Sequence, residues 1–450
     1  MDAFKLTLSE ASASIHSNTV SPTELLESLL QRIEQLERKL EAWVTLDVER
    51  AKATAEKYSK EAAEGRLRGT LHGIPIGIKD IFYTAGLKTT AGSKILADFI
   101  PSYDATSVAK LKEAGAIILG KTKTTQFAYS DPASTRNPWN IEHTPGGSSS
   151  GSAAAVSSGM CPAALGSQTG GSTIRPAAYC GIVGFKPTYG RISRHGVLPL
   201  SWSLDHVGIL TRTVEDAAVL LEVLAGHDSL DASCSTLPVS SYRRTMVTLS
   251  PPRLGILRGY FYENANDEVK ANFEKVVEKL GNSGAEVAEA RLPKSFSTVH
   301  AAHKILMATE AAAYHNEIFQ KRMNDYRPKL RGLIATGLLV SASTYLKAER
   351  IRVQFTYDIA SGLKEFDCFL MPSTATPAPK GLESTGDMAF NAPWSFCGFP
   401  SITVPSGLTK DQLPLGIQLV GRAFDEETLL RAAYWCEKTL GIGREPHDPK

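Results

Sequence analysis

One stretch, residues 146–172, concentrates the side chains able to do covalent chemistry. It reads GGSSSGSAAAVSSGMCPAALGSQTGGS, and twenty of its 27 residues are Gly, Ser or Ala, with no charge anywhere. Such a composition lets backbone approach backbone or ligand closely, and it presents hydroxyls and free N–H groups in tight turns. A flexible linker shares the composition but lacks an apolar centre. Here residues 153–156 and 160–165 are apolar, so the stretch reads as two Gly/Ser turns joined by a buried helix over 152–158. As a phosphate loop it fails, because Gly146 and Gly151 are spaced correctly but Ser152 stands where the lysine is needed. Ser149 lies at the centre of a GxSxG match to the nucleophile elbow, a cheap match in a segment so rich in Gly and Ser.

Cleavage of an amide suits these residues better. A nucleophile must attack the carbonyl, and the departing amine must receive a proton. Serine alone does neither at neutral pH. A neutral lysine supplies the base, and a second serine relays the proton between lysine and nucleophile. Lys79 closes the apolar segment 71–78, and burial beside a strand would strip its charge. A surface lysine at a strand end is the plainer reading of the same pattern. The turn Gln168-Thr169-Gly170-Gly171-Ser172 offers successive backbone N–H groups beside a hydroxyl, which is the material of an oxyanion hole.

The elements that must hold these residues alternate along the chain. Ser21-Pro22-Thr23-Glu24 is a helix start with a capping box, followed by apolar residues at helical spacing to Leu40. An alanine-rich helix runs from about Val48 to a cap at Gly65, and Thr213 with Asp216 starts another. Helices are also expected over 105–115, 267–281 and 425–440, with a mostly helical region over 296–363. Strands are expected over 71–80, 116–119, 253–257, 285–291, 366–371, 401–404 and 415–420, and 227–252 reads as a polar connection. This alternation predicts an α/β/α layered fold around a largely buried sheet. His72, His195, His206 and His315 lack ligand spacing and read as structural; Trp202, Trp394 and Phe396 suit either core or an acyl pocket.

At this level of detail the sequence resembles the amidase signature family. The family's G-[IV]-P-x-x-x-K-D segment is matched from Gly73-Ile74-Pro75 to Lys79-Asp80, its GGSS at Ser148, and its downstream GGS at Ser172, with 24 residues between the two serines. Further echoes are GFKPTYGR (184–191), Ser203-Leu204-Asp205 with Gly208, TVEDAA (213–218) and LPLGIQLVGRAFDEETLLRAA (413–433). The resemblance implies a Ser-cis-Ser-Lys triad: Lys79 as base, Ser148 as the cis-serine relay and Ser172 as the acyl-enzyme nucleophile. It further implies an oxyanion hole from the N–H groups of Thr169, Gly170, Gly171 and Ser172. The implied fold is one amidase signature domain over 1–450, with a central mixed β-sheet covered by helices. Its parts would be an N-terminal helical segment (1–65), a catalytic core (66–226) and a remainder carrying pocket elements (253–450). Two departures stand out. Gln168 replaces the family's usual acid, and Ser172-Thr173-Ile174-Arg175-Pro176 moves the arginine one place along, as in the malonamidase branch. Arg175 then either holds a substrate carboxylate or bonds backbone carbonyls.

Composition narrows the partners. With 49 Lys and Arg against 47 Asp and Glu the net charge is +2, which gives no reason to expect nucleic acid or an anionic membrane. Six dispersed cysteines, no Cys/His cluster and an N-terminus without a signal-peptide core predict a reduced, cytoplasmic chain with no metal or other cofactor. The leading expectation is a free-standing amidohydrolase of small amides, anilides, esters or carbamates (urethanes), with a homodimer left open. The alternative is the glutaminase subunit of a tRNA-dependent amidotransferase, a branch for which the chain looks short. A non-catalytic protein on the same fold is opposed by the retention of Lys79, Ser148 and Ser172 together.

Overall fold

The computed structural model describes residues 2–246, 249–443 and 445–449. Of the polar connection over 227–252, Val247 and Thr248 lie outside the described residues. Among the described residues eleven strands form one mixed sheet: β1 (Trp43–Leu46), β2 (Pro75–Lys79), β3 (Ile117–Thr122), β4 (Ala163–Gln168), β5 (Val183–Lys186), β6 (His206–Thr211), β7 (Arg253–Ile256), β8 (Glu286–Glu289), β9 (Cys368–Pro372), β10 (Ser401–Leu408) and β11 (Pro414–Val420). Their spatial order is β1-β3-β2-β4-β6-β5-β10-β11-β9-β7-β8.

Connection type follows from strand direction. Parallel neighbours need a crossover, and helices supply it: Thr106–Glu113 between β2 and β3, Ser150–Ser157 on the path from β3 to β4, which returns beside β2, and Asp267–Asn282 between β7 and β8. From β4 through β6, β5, β10 and β11 to β9 every pairing is antiparallel. Strands β2, β4, β5, β6 and β9 are buried at every residue, as a sheet covered on both faces requires. Neighbouring residues of one strand feed two separate cores: Leu165 and Ile209 belong to one, Ala164 and Leu210 to the other. The chain is a single mixed α/β domain around this sheet.

The expected caps are in place. Ser21 Oγ accepts from the Glu24 N–H at 3.2 Å, the Glu24 carboxylate accepts from the Ser21 N–H at 2.7 Å, and the helix spans Pro22–Leu40. Thr213 Oγ1 accepts from the Asp216 N–H at 3.1 Å, and Gly65 adopts φ +71° after the helix Val48–Ala63. The Gly/Ser stretch is laid out differently from the expected two turns and a helix. A helix over Ser150–Ser157 is followed by β4, which carries residues 163–168 through the middle of the sheet. The helix lies so close to its surroundings that a Cβ on Gly151 would stand 2.1 Å from the Ala42 carbonyl oxygen. Ser152 Oγ donates to the Leu165 carbonyl at 2.9 Å and ties helix to strand.

Candidate active site

Strand β2 delivers Lys79 to its C-terminal end, fully buried. The register Ile76↔Ala163 and Ile78↔Leu165 sets β4 alongside, so the residues that end β4 stand next to Lys79. Lys79 Nζ lies 2.7 Å from Ser148 Oγ, 2.7 Å from Ser167 Oγ and 3.1 Å from Ser149 Oγ. Two of these hydroxyls come from the serine turn and the third from β4. Gly166 permits the approach, since a Cβ there would lie 2.9 Å from Ser149 Oγ. The peptide bond Gly147–Ser148 is cis.

Burial pushes the Lys79 amine well below its ordinary range, and the more distant Asp205 carboxylate opposes this more weakly. Its neighbour Lys121 on β3 is also buried but pairs with Asp80 at 3.7 Å and donates to Thr89 Oγ1 at 2.7 Å. Burial brings Lys121 down to about 8 against the pull of Asp80. Lys79 is therefore the buried amine surrounded by hydroxyls, and Lys121 the one with a counter-ion.

Beyond β4 the chain turns through Thr169-Gly170-Gly171-Ser172. Ser172 keeps 8% exposure, and its hydroxyl has no hydrogen-bond partner among the described residues. Its carbonyl accepts from the Ser149 N–H at 3.3 Å, which joins the two serine segments. Gln168 Oε1 accepts from the N–H groups of Thr173 and Ile174, both at 3.0 Å, and thereby caps the short helix Ile174–Tyr179. Its Nε2 donates to Ser395 Oγ at 3.1 Å, and Ser395 Oγ donates to the Gly170 carbonyl at 3.1 Å. His303 Nε2 bonds the Thr169 carbonyl at 2.9 Å, and Thr169 Oγ1 donates to half-buried Asp205. Met388 and Asn391 cover the two glycines: a Cβ on Gly170 would stand 2.5 Å from Met388 Sδ, and one on Gly171 2.7 Å from Asn391 Oδ1.

Arg175 is buried, with Nη2 donating to the Gly147 carbonyl at 2.6 Å and Nη1 to the Gly386 carbonyl at 3.0 Å. Its guanidinium clamps the backbone of the serine turn to the segment around residue 386, rather than facing open space. A cavity of about 350 Å³ meets the site at Ser167 and Thr169, and Trp202, Tyr314, Asp205 and His206 are among the residues that line it. Trp202 thus lines a pocket, whereas Trp394 is fully buried core. His72, His206 and His315 bond the Tyr58 carbonyl, the Leu204 carbonyl and the Tyr326 hydroxyl respectively. Among the described residues no group of three His, Cys, Asp or Glu is placed to hold a metal ion, and no helix is long and apolar enough to cross a membrane.

Sequence reasoning missed Ser149 and Ser167 as neighbours of Lys79, and His303 and Ser395 as partners of the turn. Ser167 sits in a strand of small residues, and the other two join the turn from positions 134 and 225 residues distant along the chain. No local pattern marks such contacts.

The Amidase family model matches residues 24–430. The A subunit of the glutamyl-tRNA(Gln) amidotransferase of Geobacter metallireducens is 38% identical over 475 residues, covering 97% of this chain and 98% of the relative. Its counterpart from Geobacillus thermodenitrificans is 37% identical, covering 99% of each. Among solved structures, one described as "An unexpected vestigial protein complex reveals the evolutionary origins of an s-triazine catabolic enzyme" superposes with a TM-score of 0.92 at 30% identity, over 98% of this chain and all of that one. The corresponding amidotransferase protein of Thermotoga maritima superposes with a TM-score of 0.84 at 30% identity, over the whole of this chain and 99% of that one. These findings overturn two expectations from the sequence. Relatives matching end to end are named as amidotransferase subunits, so the free-standing hydrolase of small amides, esters or carbamates gives way to the alternative. The partner set of small molecules alone, without protein subunits or tRNA, falls with it. The likeness runs nearly end to end in both relatives, although the 475 and 483 aligned positions exceed the 450 residues of this chain, which therefore carries gaps against them.

Proposed function

This chain belongs to the amidase signature family of enzymes acting on carbon–nitrogen bonds, and on that premise we propose that it is the glutamine-cleaving subunit of a tRNA-dependent amidotransferase. The observation that carries the reading is the end-to-end likeness to these amidotransferase subunits, over a core in which a buried lysine stands against Ser148. The work of the chain is then to release ammonia from the side-chain amide of glutamine. Partner subunits use that ammonia on a tRNA-linked acyl group.

Lys79 is the base of the proposed mechanism. A neutral amine has two N–H donors and one lone pair, so one of its three hydroxyl neighbours must donate to it. Ser149 is poorly suited, because its Oγ also donates to the Ser167 carbonyl at 3.3 Å. Ser148 has no other acceptor among the described residues and takes the relay role. Ser172 Oγ attacks the glutamine amide carbon while its proton passes to Ser148 and the Ser148 proton to Lys79. The free N–H groups from Thr169 to Ser172 face the negative charge that forms on the carbonyl oxygen. The proton returns through Ser148 to the leaving nitrogen, the C–N bond breaks, and ammonia departs from a glutamyl ester of Ser172. Water attacks that ester by the same proton route and releases glutamate. Arg175 takes part by holding the Gly147 carbonyl, hence as a positioning residue. Six unpaired, buried cysteines accord with a reducing, cytoplasmic setting.

The test uses the tagged chain recovered from its own cells with whatever subunits accompany it. Amide-¹⁵N glutamine should transfer its label to glutamyl-tRNA in the wild-type preparation. Ser172→Ala should lose glutamine cleavage and label transfer yet still support transfer from added ammonium. A chain that travels without subunits and transfers no label would refute the proposal.

A further inference from the structure

The turn that holds Ser172 has a regular pattern of hydrogen bonds. Among the described residues the N–H groups of Thr169, Gly170, Gly171 and Ser172 have no acceptor, whereas the carbonyls on the other side of the same peptide planes are taken. The Thr169 carbonyl accepts from His303 Nε2 at 2.9 Å, the Gly170 carbonyl from Ser395 Oγ at 3.1 Å, and the Gly171 carbonyl from the Arg175 N–H at 3.0 Å. In a planar trans peptide the carbonyl of one residue and the N–H of the next point in opposite directions. A donor that holds the carbonyl therefore aims the following N–H.

We propose that His303 and Ser395 are positioning residues that aim the Gly170 and Gly171 N–H groups at the oxygen of the acyl intermediate, with Gln168 directing the Ser395 proton. External anchors are needed here because glycine leaves the peptide plane free to rotate. Glycine is also enforced, since a Cβ at either position collides with Met388 or Asn391. Gln168 matters through its nitrogen. By donating to Ser395 Oγ it leaves the hydroxyl proton to the Gly170 carbonyl. A carboxylate at 168 would still cap Thr173 and Ile174, but it would accept the Ser395 proton and release the Gly170 carbonyl. The amide in place of the family's usual acid is thus matched to a serine at 395. Burial lowers the His303 imidazole to about 4, so at neutral pH it carries one proton. A carbonyl only accepts, so that proton is on Nε2.

The inference rests on Ser172 being the acylated residue, which fluorophosphonate labelling of the wild-type protein and peptide mapping check separately. Glutamine kinetics are then measured on the recovered complex, beside the affinity of a boronic acid that forms a tetrahedral anion on the nucleophile. Ser395→Ala should lower kcat by about 10- to 100-fold, below the full loss of an oxyanion donor, with KM within about twofold. Boronate affinity should fall by the same factor as kcat. Gln168→Glu, which retains the helix cap, should reproduce the effect; the double variant should be no worse than either single one, and Ser395→Thr should restore activity. A normal kcat in Ser395→Ala or Gln168→Glu, or a loss confined to KM, overturns the clamp. Labelling at a serine other than Ser172 overturns the catalytic reading instead.

Discussion

Replacing Ser148 with alanine separates proton delivery from folding. Lys79 Nζ is held by three hydroxyls, and the substitution leaves two of them, Ser167 at 2.7 Å and Ser149 at 3.1 Å. One hydrogen bond of this kind contributes about 0.5–1.5 kcal/mol net, so the variant should fold and melt close to the wild type. Losing a proton relay costs a factor of about 100 to 10,000, or about 2.7–5.5 kcal/mol of barrier at 1.36 kcal/mol per decade. The activity loss therefore exceeds anything the stability change produces. Leaving groups sharpen the test. Ammonia can depart from glutamine only after its nitrogen is protonated, whereas p-nitrophenolate leaves a γ-glutamyl ester as a stable anion. Initial rates on both substrates, with a thermal melt on the same samples, should show the larger loss on glutamine while acylation limits both rates. Equal losses on amide and ester would refute the relay and leave Ser148 a geometric role. A larger loss in Ser149→Ala would place the relay on the wrong serine.

Three further outcomes follow from the same geometry. Burial pushes the Lys79 amine well below its ordinary value of 10.5, so between the lowered value and 10.5 the unfolded chain binds the extra proton and stability rises with pH. Lys79→Met should abolish turnover, unfold at higher denaturant concentration than wild type at neutral pH, and lose that advantage as pH climbs toward 10.5; parallel stability curves would show the lysine to be charged in the fold. Wild-type turnover should rise with pH through the lowered lysine value. Gly208→Ala would place a Cβ 2.0 Å from Thr173 Oγ1, beside Ser172. Overpacking of this kind costs about 1–3 kcal/mol, and fluorophosphonate labelling of Ser172 should slow with it; unchanged melting and labelling would mean that Thr173 yields without moving its neighbour.

What the sequence made legible depended on how local the physics was. Ser21-Pro22-Thr23-Glu24 carries its own cap within four residues, and the helix it opens ends at Leu40 as its apolar spacing predicts. Strand β9 is an apolar run that forms a buried strand wherever it lies. Strands β4, β5 and β6 were hidden, because AALGSQ, VGFK and HVGILT are buried on both faces and show no alternation. Their small residues answer to tertiary demands, such as Gly166 making room for Ser149 and Gly184 for Ala177, with a Cβ only 2.5 Å from the latter. Lys79 and the paired serines were visible through motif and spacing. The carbonyl anchors of the turn were not, since each reaches it from a distant segment.

The parallel pairing of β2 with β4 has a consequence for control. Adjacent strands run about 4.8 Å apart, and Lys79 meets Ser167 across that single spacing, at the exit of two fully buried strands. Lys79 and the Ser167 hydroxyl are therefore placed by the sheet itself, while Ser148 and Ser149 reach Lys79 from the adjoining turn. The roof over the turn is built otherwise: the segment from Thr385 to Ser395, which meets the turn through Met388, Asn391 and Ser395, belongs to no strand. In the proposed mechanism a displacement of that roof acts on the Gly170–Gly171 turn, whereas separating Lys79 from Ser167 requires distorting the sheet.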